Sequence, residues 1–300
     1  LMFDQVLVIG CGLIGSSILR CLNRNKTVKK LIACDNEQYV CDYIKKLSIC
    51  NEVVSNPNDA VKNSDLVIVS TPLSSFEHVV NSLKNNFKSG SILTDTCSVK
   101  NGVNRIIKKI KPKNSIWIPG HPVAGTENSG PNAGFADLFK DRWTILTPDK
   151  NTKESDVKKI SLFWKSMGSK VKIMSVEDHD QILSLTSHLP HVIAYNIVKT
   201  AMGDNEKIKN EIIRYSAGGL RDFTRIAASD PKMWRDIFID NSDLIIDGID
   251  KFSRSLDDFK KAIIEKDSKK LLDIFEKSKE FRKLIIEAGQ DTDKPDFGRK

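Results

Sequence analysis

Of the five histidines in this 300-residue chain, one stands where a proton acceptor would be useful. His121 lies between Gly120 and Pro122, directly after the apolar run IWIP (116–119). The residue before a proline is held extended, so the backbone at His121 is stiff. A neutral imidazole can take a proton from an alcohol near neutral pH; a histidine packed into a turn is the plainer alternative. Ser98, in DTCSVK (95–100), follows a second apolar run, SILTD. Its hydroxyl can donate to a substrate hydroxyl or to a histidine, or it can cap the next helix. Lys100 could add positive charge near an anionic substrate, or simply face solvent. Arg221 and Arg225, four apart in GGLRDFTR (218–225), could each clamp a carboxylate bidentately, or pair with an acid at the surface.

A second constellation is rich in rings. His179, His188 and His191 fall in one helical stretch beside Asp180, and His188 and His191, three apart, share a helix face. No motif fixes a metal geometry among them, and no metal is expected. Trp234 and Asn241, seven apart, should share a face of a later helix, with Trp234 either core or site.

The third pattern binds rather than reacts. VLVIGCGLIGSS (6–17) is an apolar run, a glycine triplet and a helix-like segment. This is G-x-G-x-x-G in the context that gives it meaning. Gly10 would make the turn, Gly12 would let a pyrophosphate approach, and Gly15 would let helix pack on strand. The free N–H groups after Gly12, on Leu13 and Ile14, face the phosphates. Asp35 ends the next apolar run, LIACD, where a ribose-binding acid belongs. A 2′-phosphate would meet that carboxylate with no arginine beside it, so NAD is expected rather than NADP. Ser70, Thr71 and Pro72 close LVIVS-TP at the same edge of the sheet, where open parallel sheets place their ligands.

The elements that must position these residues follow from periodicity. Short β-branched runs at 6–9, 31–34, 66–70, 91–95, 116–119, 143–146 and 170–173 alternate with helical segments, which predicts one βαβ series. A short amphipathic piece is expected at 135–139. After about Val176 the strand-like runs stop. Amphipathic stretches take over at 179–202, 207–217, 222–228, 231–252, 254–265 and 268–288, with a break or kink at Pro190. The expected fold is α/β: a Rossmann-type nucleotide-binding domain over residues 1–175, an all-helical substrate-binding and dimerisation domain over 176–288, and a polar tail over 289–300. The long helices suggest burial by a second copy.

Composition is that of a globular chain, 40% hydrophobic and 29% charged, with net charge +8. The lysine surplus is dispersed, which suits a soluble surface or a funnel for a small anionic substrate. No stripe of basic and aromatic residues suggests nucleic acid, and no apolar run has the length of a membrane span. Six cysteines without CxxC spacing read as buried thiols in a reducing, cytoplasmic setting. No signal peptide is expected.

Taken together, GCGLIGSS (10–17), Asp35, STP (70–72), DTCSVK (95–100), GHPVAGTENSG (120–130), LF (138–139), WTILTP (143–148), VEDHD (176–180), LTSHLPH (185–191) and GGLRDFTRIA (218–227) resemble the prephenate/arogenate dehydrogenase family of tyrosine biosynthesis. The resemblance spans nearly the whole chain. It implies that NAD takes hydride from C4 of a cyclohexadiene while His121 takes the C4 hydroxyl proton. The ring carboxylate then leaves as CO₂. By the same resemblance Ser98 orients the histidine and hydroxyl, and Arg225 binds the ring carboxylate. His188 lies near the substrate side chain, Asp222 and Trp234 line or support the pocket, and Thr126 and His191 are lesser assignments. A homodimer through the helical domain is implied. No fused mutase or amino-acid-binding regulatory domain is expected, so any inhibition by tyrosine would act at the active site. Two rivals remain at this level. One is another two-domain NAD-dependent hydroxyacid dehydrogenase, for which a lysine base is expected. The other is a non-catalytic dinucleotide-binding homodimer.

Overall fold

The computed structural model describes residues 2–202 and 206–290. Its first part alternates strand and helix: β1 (Phe3–Ile9), α1 (Leu13–Asn25), β2 (Val28–Cys34), α2 (Gln38–Leu47), β3 (Glu52–Val54), the single turn α3 (Asn58–Val61), β4 (Leu66–Val69), α4 (Leu73–Leu83), β5 (Ser91–Asp95), α5 (Asn101–Ile110) and β6 (Ser115–Trp117). The six strands form one parallel sheet in the order β3-β2-β1-β4-β5-β6. Its central strands are apolar over Val6–Ile9, Leu31–Cys34 and Leu66–Val69 because both faces are covered there. Val6, Val8, Leu31, Ala33, Leu66 and Ile68 pack with Ile18, Leu22 and Ile44 of α1 and α2. The alternate residues Leu7, Ile9, Ile32, Val67, Val69 and Leu93 pack with Phe76, Val80 and Val103 of α4 and α5. The strand order reverses at β1 and β4, so the crevice where such sheets bind ligands opens beyond Ile9 and Val69.

The single βαβ series predicted to residue 173 is corrected. β7 (Gly120–Val123), β8 (Trp143–Leu146) and β9 (Lys170–Ile173) form a separate three-stranded sheet, with α6 (Glu154–Ser166) between the last two. β7 runs antiparallel to β8, and β8 parallel to β9. His121 is therefore inside a strand, paired with Ile145, rather than in a turn. Pro122 cannot donate to a ladder, and β7 tolerates it because it is an edge strand. The short amphipathic piece expected at 135–139 falls in a turn over residues 136–140.

Among the described residues no strand follows β9. α7 (Val176–Leu183), α8 (Leu189–Met202), α9 (Glu206–Tyr215), α10 (Gly218–Thr224), α11 (Pro231–Asp240), α12 (Ser242–Ile264) and α13 (Ser268–Glu287) complete the chain. Pro190 does not break the first of these. A wide π turn over Ser184–His188 precedes it, with the Leu189 N–H reaching back to the Ser184 carbonyl. Gly218 and Gly219 open α10 rather than separate two helices, and Arg225 begins a tighter 3₁₀ turn, Arg225–Ala228. The predicted 231–252 helix breaks at Asn241 instead, while α12 runs on past residue 253.

Carboxylates of this helical part meet helix N-termini of the nucleotide sheet. Asp236 accepts the Ser74 N–H at 3.3 Å at the start of α4. Asp240 pairs with Arg105 of α5 at 2.8 Å and lies so close to Gly102 that a Cβ there would overlap it. Asp180 of α7 accepts the N–H groups of Lys100 and Asn101, each at 2.8 Å. Negative charge is favourable at each of these positions.

The chain divides into two compact units, one ending at Ile245 and one beginning at Ile246. The second carries most of α12, with α13. Phe259 and Phe275 are in ring contact within it, but Ile246, Leu256, Ile263, Ile264, Leu272 and Phe281 are exposed. Of the expected tail, residues 291–300 lie outside the described residues. All six cysteines are free thiols, and all but Cys50 are buried. No described helix is long and apolar enough to cross a membrane.

The glycine loop makes the tightest demand on residue type. A Cβ on Gly15 would collide with the Gly10 carbonyl, backbone that cannot give way. Gly15→Ala should cost about 1–3 kcal/mol through overpacking, measured as a lower denaturant midpoint. An unchanged midpoint would mean that the loop is not packed as described.

Candidate active site

The nucleotide end is built at the switch point. Gly10 has φ +89°, in the left-handed region that favours glycine, and a Cβ there would lie 2.6 Å from the Ser70 carbonyl oxygen. Gly12 meets the opposite situation, with nothing within 4 Å of an added Cβ. It precedes α1, whose N-terminus has no side-chain cap and no acid in its first turn. The N–H groups around Leu13 and Ile14 are thus uncapped by side chains at the positive end of the helix, beside the room left by Gly12, a ready cradle for a pyrophosphate. Asp35 follows β2; its oxygens accept from Cys11 N–H at 2.8 Å and Glu37 N–H at 3.0 Å. These two bonds orient the carboxylate and leave it lone pairs for ribose hydroxyls. Ser70 accepts from the Thr96 hydroxyl at 3.0 Å, the buried Thr71 hydroxyl has no partner, and Pro72 leads into α4. The residues present fit a dinucleotide.

His121 sits beyond the C-terminal end of the same sheet, buried. Its Nδ1 is 2.8 Å from Nε2 of His179, and Nδ1 of His179 is 2.7 Å from Oδ1 of Asp180. Burial holds the His121 imidazole well below the ordinary histidine value, reinforced by the positive charges that His179, Lys100 and His188 carry or would carry. Burial also lowers His179, although its bond to Asp180 pulls the other way. Burial alone would raise the Asp180 carboxyl. The bonds from His179, Lys100 and Asn101 outweigh it and leave that carboxyl below its usual range.

Lys100 does not face solvent. It is fully buried, and its Nζ donates to Oδ2 of Asp95 at 2.5 Å and to the Gly120 carbonyl at 2.6 Å. Asp95 in turn accepts the Gly120 N–H at 3.1 Å. Both backbone groups of the residue before His121 are thereby held by one buried ion pair. Ser98 is half-buried on the β5–α5 loop, and among the described residues its hydroxyl makes no hydrogen bond. It does not cap α5: the helix begins at Asn101, and Asp180 satisfies the N–H groups there.

On the helical side, His188 is fully buried. Its Nδ1 is 3.1 Å from the Asn241 amide nitrogen, while its Nε2 is buried without a partner. Burial pushes its imidazole down to about 4. His191 is only half-buried and stacks on Trp234 with ring centroids 3.5 Å apart. Trp234, Asn241 and His188 do form one cluster, with Trp234 buried, so His191 rather than His188 offers an accessible ring. Arg225 is 62% exposed, and its guanidinium lies 3.4 Å from Glu127 on the loop after β7. Its charge helps to lower His191, after burial. Arg221 lies 3.6 Å from Asp222, and Thr126 is exposed, its hydroxyl accepting the Asn128 N–H at 3.2 Å. Among the described residues, no group of three or more His, Cys, Asp and Glu is arranged to hold a metal ion.

Three contacts here were not read from sequence. Glu127 beside Arg225, and the hold of the Lys100–Asp95 pair on Gly120, each join segments that no spacing rule connects. The His179–Asp180 adjacency was visible, but not its reach across 58 positions to His121.

Known proteins give a consistent account. Residues 18–173 match the family model described as prephenate dehydrogenase, nucleotide-binding domain, and residues 175–277 match prephenate dehydrogenase, dimerization domain. The chain is 39% identical over 280 residues to a cyclohexadienyl dehydrogenase of Zymomonas mobilis subsp. mobilis, covering 93% of this chain and 95% of that one. It is 31% identical to a prephenate dehydrogenase of Bacillus subtilis, covering 94% of this chain and 76% of the relative. The crystal structure of prephenate dehydrogenase from A. aeolicus in complex with hydroxyphenyl propionate and NAD+ superposes with a TM-score of 0.87 at 31% identity, covering 94% of this chain and 98% of that one. With both halves of the chain matched by family models and such identity along nearly its whole length, the chain belongs to the prephenate dehydrogenase family.

Proposed function

We propose that this chain catalyses the NAD-dependent oxidative decarboxylation of prephenate, and of arogenate as a second substrate, in tyrosine biosynthesis. One observation carries the reading: His121 is buried, pinned through Gly120, and kept neutral at the edge of the nucleotide sheet. A base must be unprotonated when substrate arrives, and burial beside the Lys100 charge favours that. Bound NAD supplies the acceptor for the hydride leaving C4.

The chain's own residues do the rest. Gly10, Gly12, Leu13, Ile14 and Gly15 cradle the pyrophosphate, Asp35 takes the ribose hydroxyls, and Ser70, Thr71 and Pro72 border the nicotinamide side. His121 removes the C4 hydroxyl proton, with Ser98 orienting the hydroxyl. Arg225 holds the ring carboxylate; its exposed pairing with Glu127 is weak enough to exchange for substrate. That carboxylate must leave as a neutral gas, so the guanidinium works mainly by orientation. His191 and Thr126 face the substrate side chain, and Asp222 supports the Arg225 turn. Trp234, packed against His191 and His188, forms the wall behind it. Residues 1–175 serve as the nucleotide domain and 176–288 as the substrate and dimerisation domain. A second copy of this chain covers the exposed apolar side chains of α12 and α13.

Replacing the base tests this directly. His121→Asn should lower kcat by about 10²-fold or more with NAD binding retained, followed as NADH absorbance and by nucleotide titration. Undiminished kcat would remove His121 from the mechanism. Arg225→Ala should act chiefly on KM, and a KM unchanged for both substrates would end the clamp assignment. The pH profile has a definite sign. Because the folded chain holds His121 below its ordinary 6.5, the neutral base survives as pH falls through that value and is lost only further down. The acid limb of kcat/KM should therefore lie below 6.5, and a limb at or above it would contradict the burial argument.

A further inference from the structure

We infer that His179 and Asp180 act behind His121 as positioning residues: they fix its tautomer so that Nε2 is bare, and they hold the second proton position of the relay. This rests on His121 being the base in the reading above. The assignment follows from counting donors. Asp180 accepts from the backbone N–H of Lys100 and Asn101, and an ionised carboxylate has no proton to give. The nitrogen 2.7 Å from it, Nδ1 of His179, must therefore carry a hydrogen. A neutral His179 then has a bare Nε2, which can only accept. Its partner at 2.8 Å, Nδ1 of His121, must be the donor, and Nε2 of His121 is left as the free lone pair. Were His179 cationic, its Nε2 would donate instead, and His121 would present N–H to the substrate. Burial favours the neutral ring.

The charged and titratable groups around this pair are few. Lys100 and His188 face His121. Asp180, Asp95 and Lys100 face His179. Protonating His121 would set its charge near Lys100 with no carboxylate in contact, whereas His179 touches one.

The relay uses that difference. As hydride leaves C4 for NAD, the C4 O–H bond breaks and a new N–H bond forms at Nε2 of His121. The hydrogen on Nδ1 of His121 passes to Nε2 of His179, which becomes cationic against the Asp180 carboxylate. The bond between ring and carboxylate then breaks. Its electron pair makes the ring aromatic and ends on the C4 oxygen, which takes back the proton from His121 Nε2 as Nδ1 recovers its own from His179. Substrate and NAD give phenol, CO₂ and NADH with no proton gained or lost by the chain.

The test reads tautomers as well as rates. In the full-length free protein labelled with ¹⁵N-histidine, His121 and His179 should both carry their hydrogen on Nδ1; a resting His121 with hydrogen on Nε2 overturns the proposal. Asp180→Asn removes the negative charge against which His179 would become cationic, and its single oxygen cannot replace both Oδ1, shared by the Lys100 N–H and Nδ1 of His179, and Oδ2 on the Asn101 N–H. We expect kcat to fall by about 10²-fold or more with substrate KM within about twofold and NAD binding kept. An Asp180→Asn enzyme with full kcat overturns the relay. If His121→Asn is inactive at the same time, the dehydrogenase reading stands without it, whereas a fully active His121→Asn removes both. Should Asp180→Asn fail to fold, the spectrum of the unmodified protein decides alone.

Discussion

The buried pair of Lys100 and Asp95 is the constraint on which the site depends. Two opposite charges with no solvent exposure are costly unless every remaining lone pair and proton is used. Here Asp95 also accepts the Cys97 N–H at 3.0 Å, and the bonds that both partners make converge on one residue. Lys100 spends a proton on the Gly120 carbonyl, and Asp95 a lone pair on the Gly120 N–H. Gly120 must be small to sit there, since an added Cβ would lie 3.0 Å from the Asp95 carbonyl oxygen. The pair therefore fixes the backbone one residue before His121, joining the end of β5 to the start of β7. Removing either charge would leave the other stranded, at a cost of about 3–5 kcal/mol. Its value lies in position rather than in net stability.

A second constraint joins the helical part to this frame. α7 and α11 place Asp180, Asp236 and Asp240 at the N-termini of α4 and α5, the helices that follow β4 and β5. Helix N-termini in such sheets commonly face anionic ligands. Here those of α4 and α5 are met by protein carboxylates, while that of α1 has no side-chain cap. The division of labour follows from docking: none of the three helices has an acid in its first turn, and it is α4 and α5 that receive carboxylates from the helical part, which leaves the α1 dipole available to an exogenous anion.

Much of this was legible in the chain. The doubly wound sheet announced itself because fully buried parallel strands must be continuously apolar, as in LVIV over β4. The glycine loop was legible because each glycine answers a separate steric demand. Less was legible where a contact depends on tertiary docking. β7 contains a proline and is only four residues long, so its pairing with β8 had no periodic signature. Lys100 looked like a surface lysine because nothing local reveals that α5 and β7 close over it. His188 and His191 share a helix face, yet one is sealed by Asn241 and the other open, a difference set by α11. The break at Asn241, in place of one at 253, likewise reflects packing of that residue under α7, where its amide reaches the Asp180 carbonyl.

The two ends of the proposed chemistry differ in burial for a physical reason. A base that must be neutral gains from desolvation, which opposes its charging; hence His121 is sealed among rings and a locked ion pair. A guanidinium that must bind and then release an anion would suffer in the same place, since an unpaired buried cation is costly and a buried carboxylate partner would not yield to substrate. Arg225 instead sits 62% exposed against a carboxylate it can exchange. Its turn is a short 3₁₀ segment rather than a regular helix, which puts the side chain beside the loop after β7. The contrast also weighs against a lysine-based hydroxyacid mechanism. The lysine nearest His121 is already committed to Asp95 and Gly120, and its proton cannot leave without stranding the carboxylate that holds the base in place.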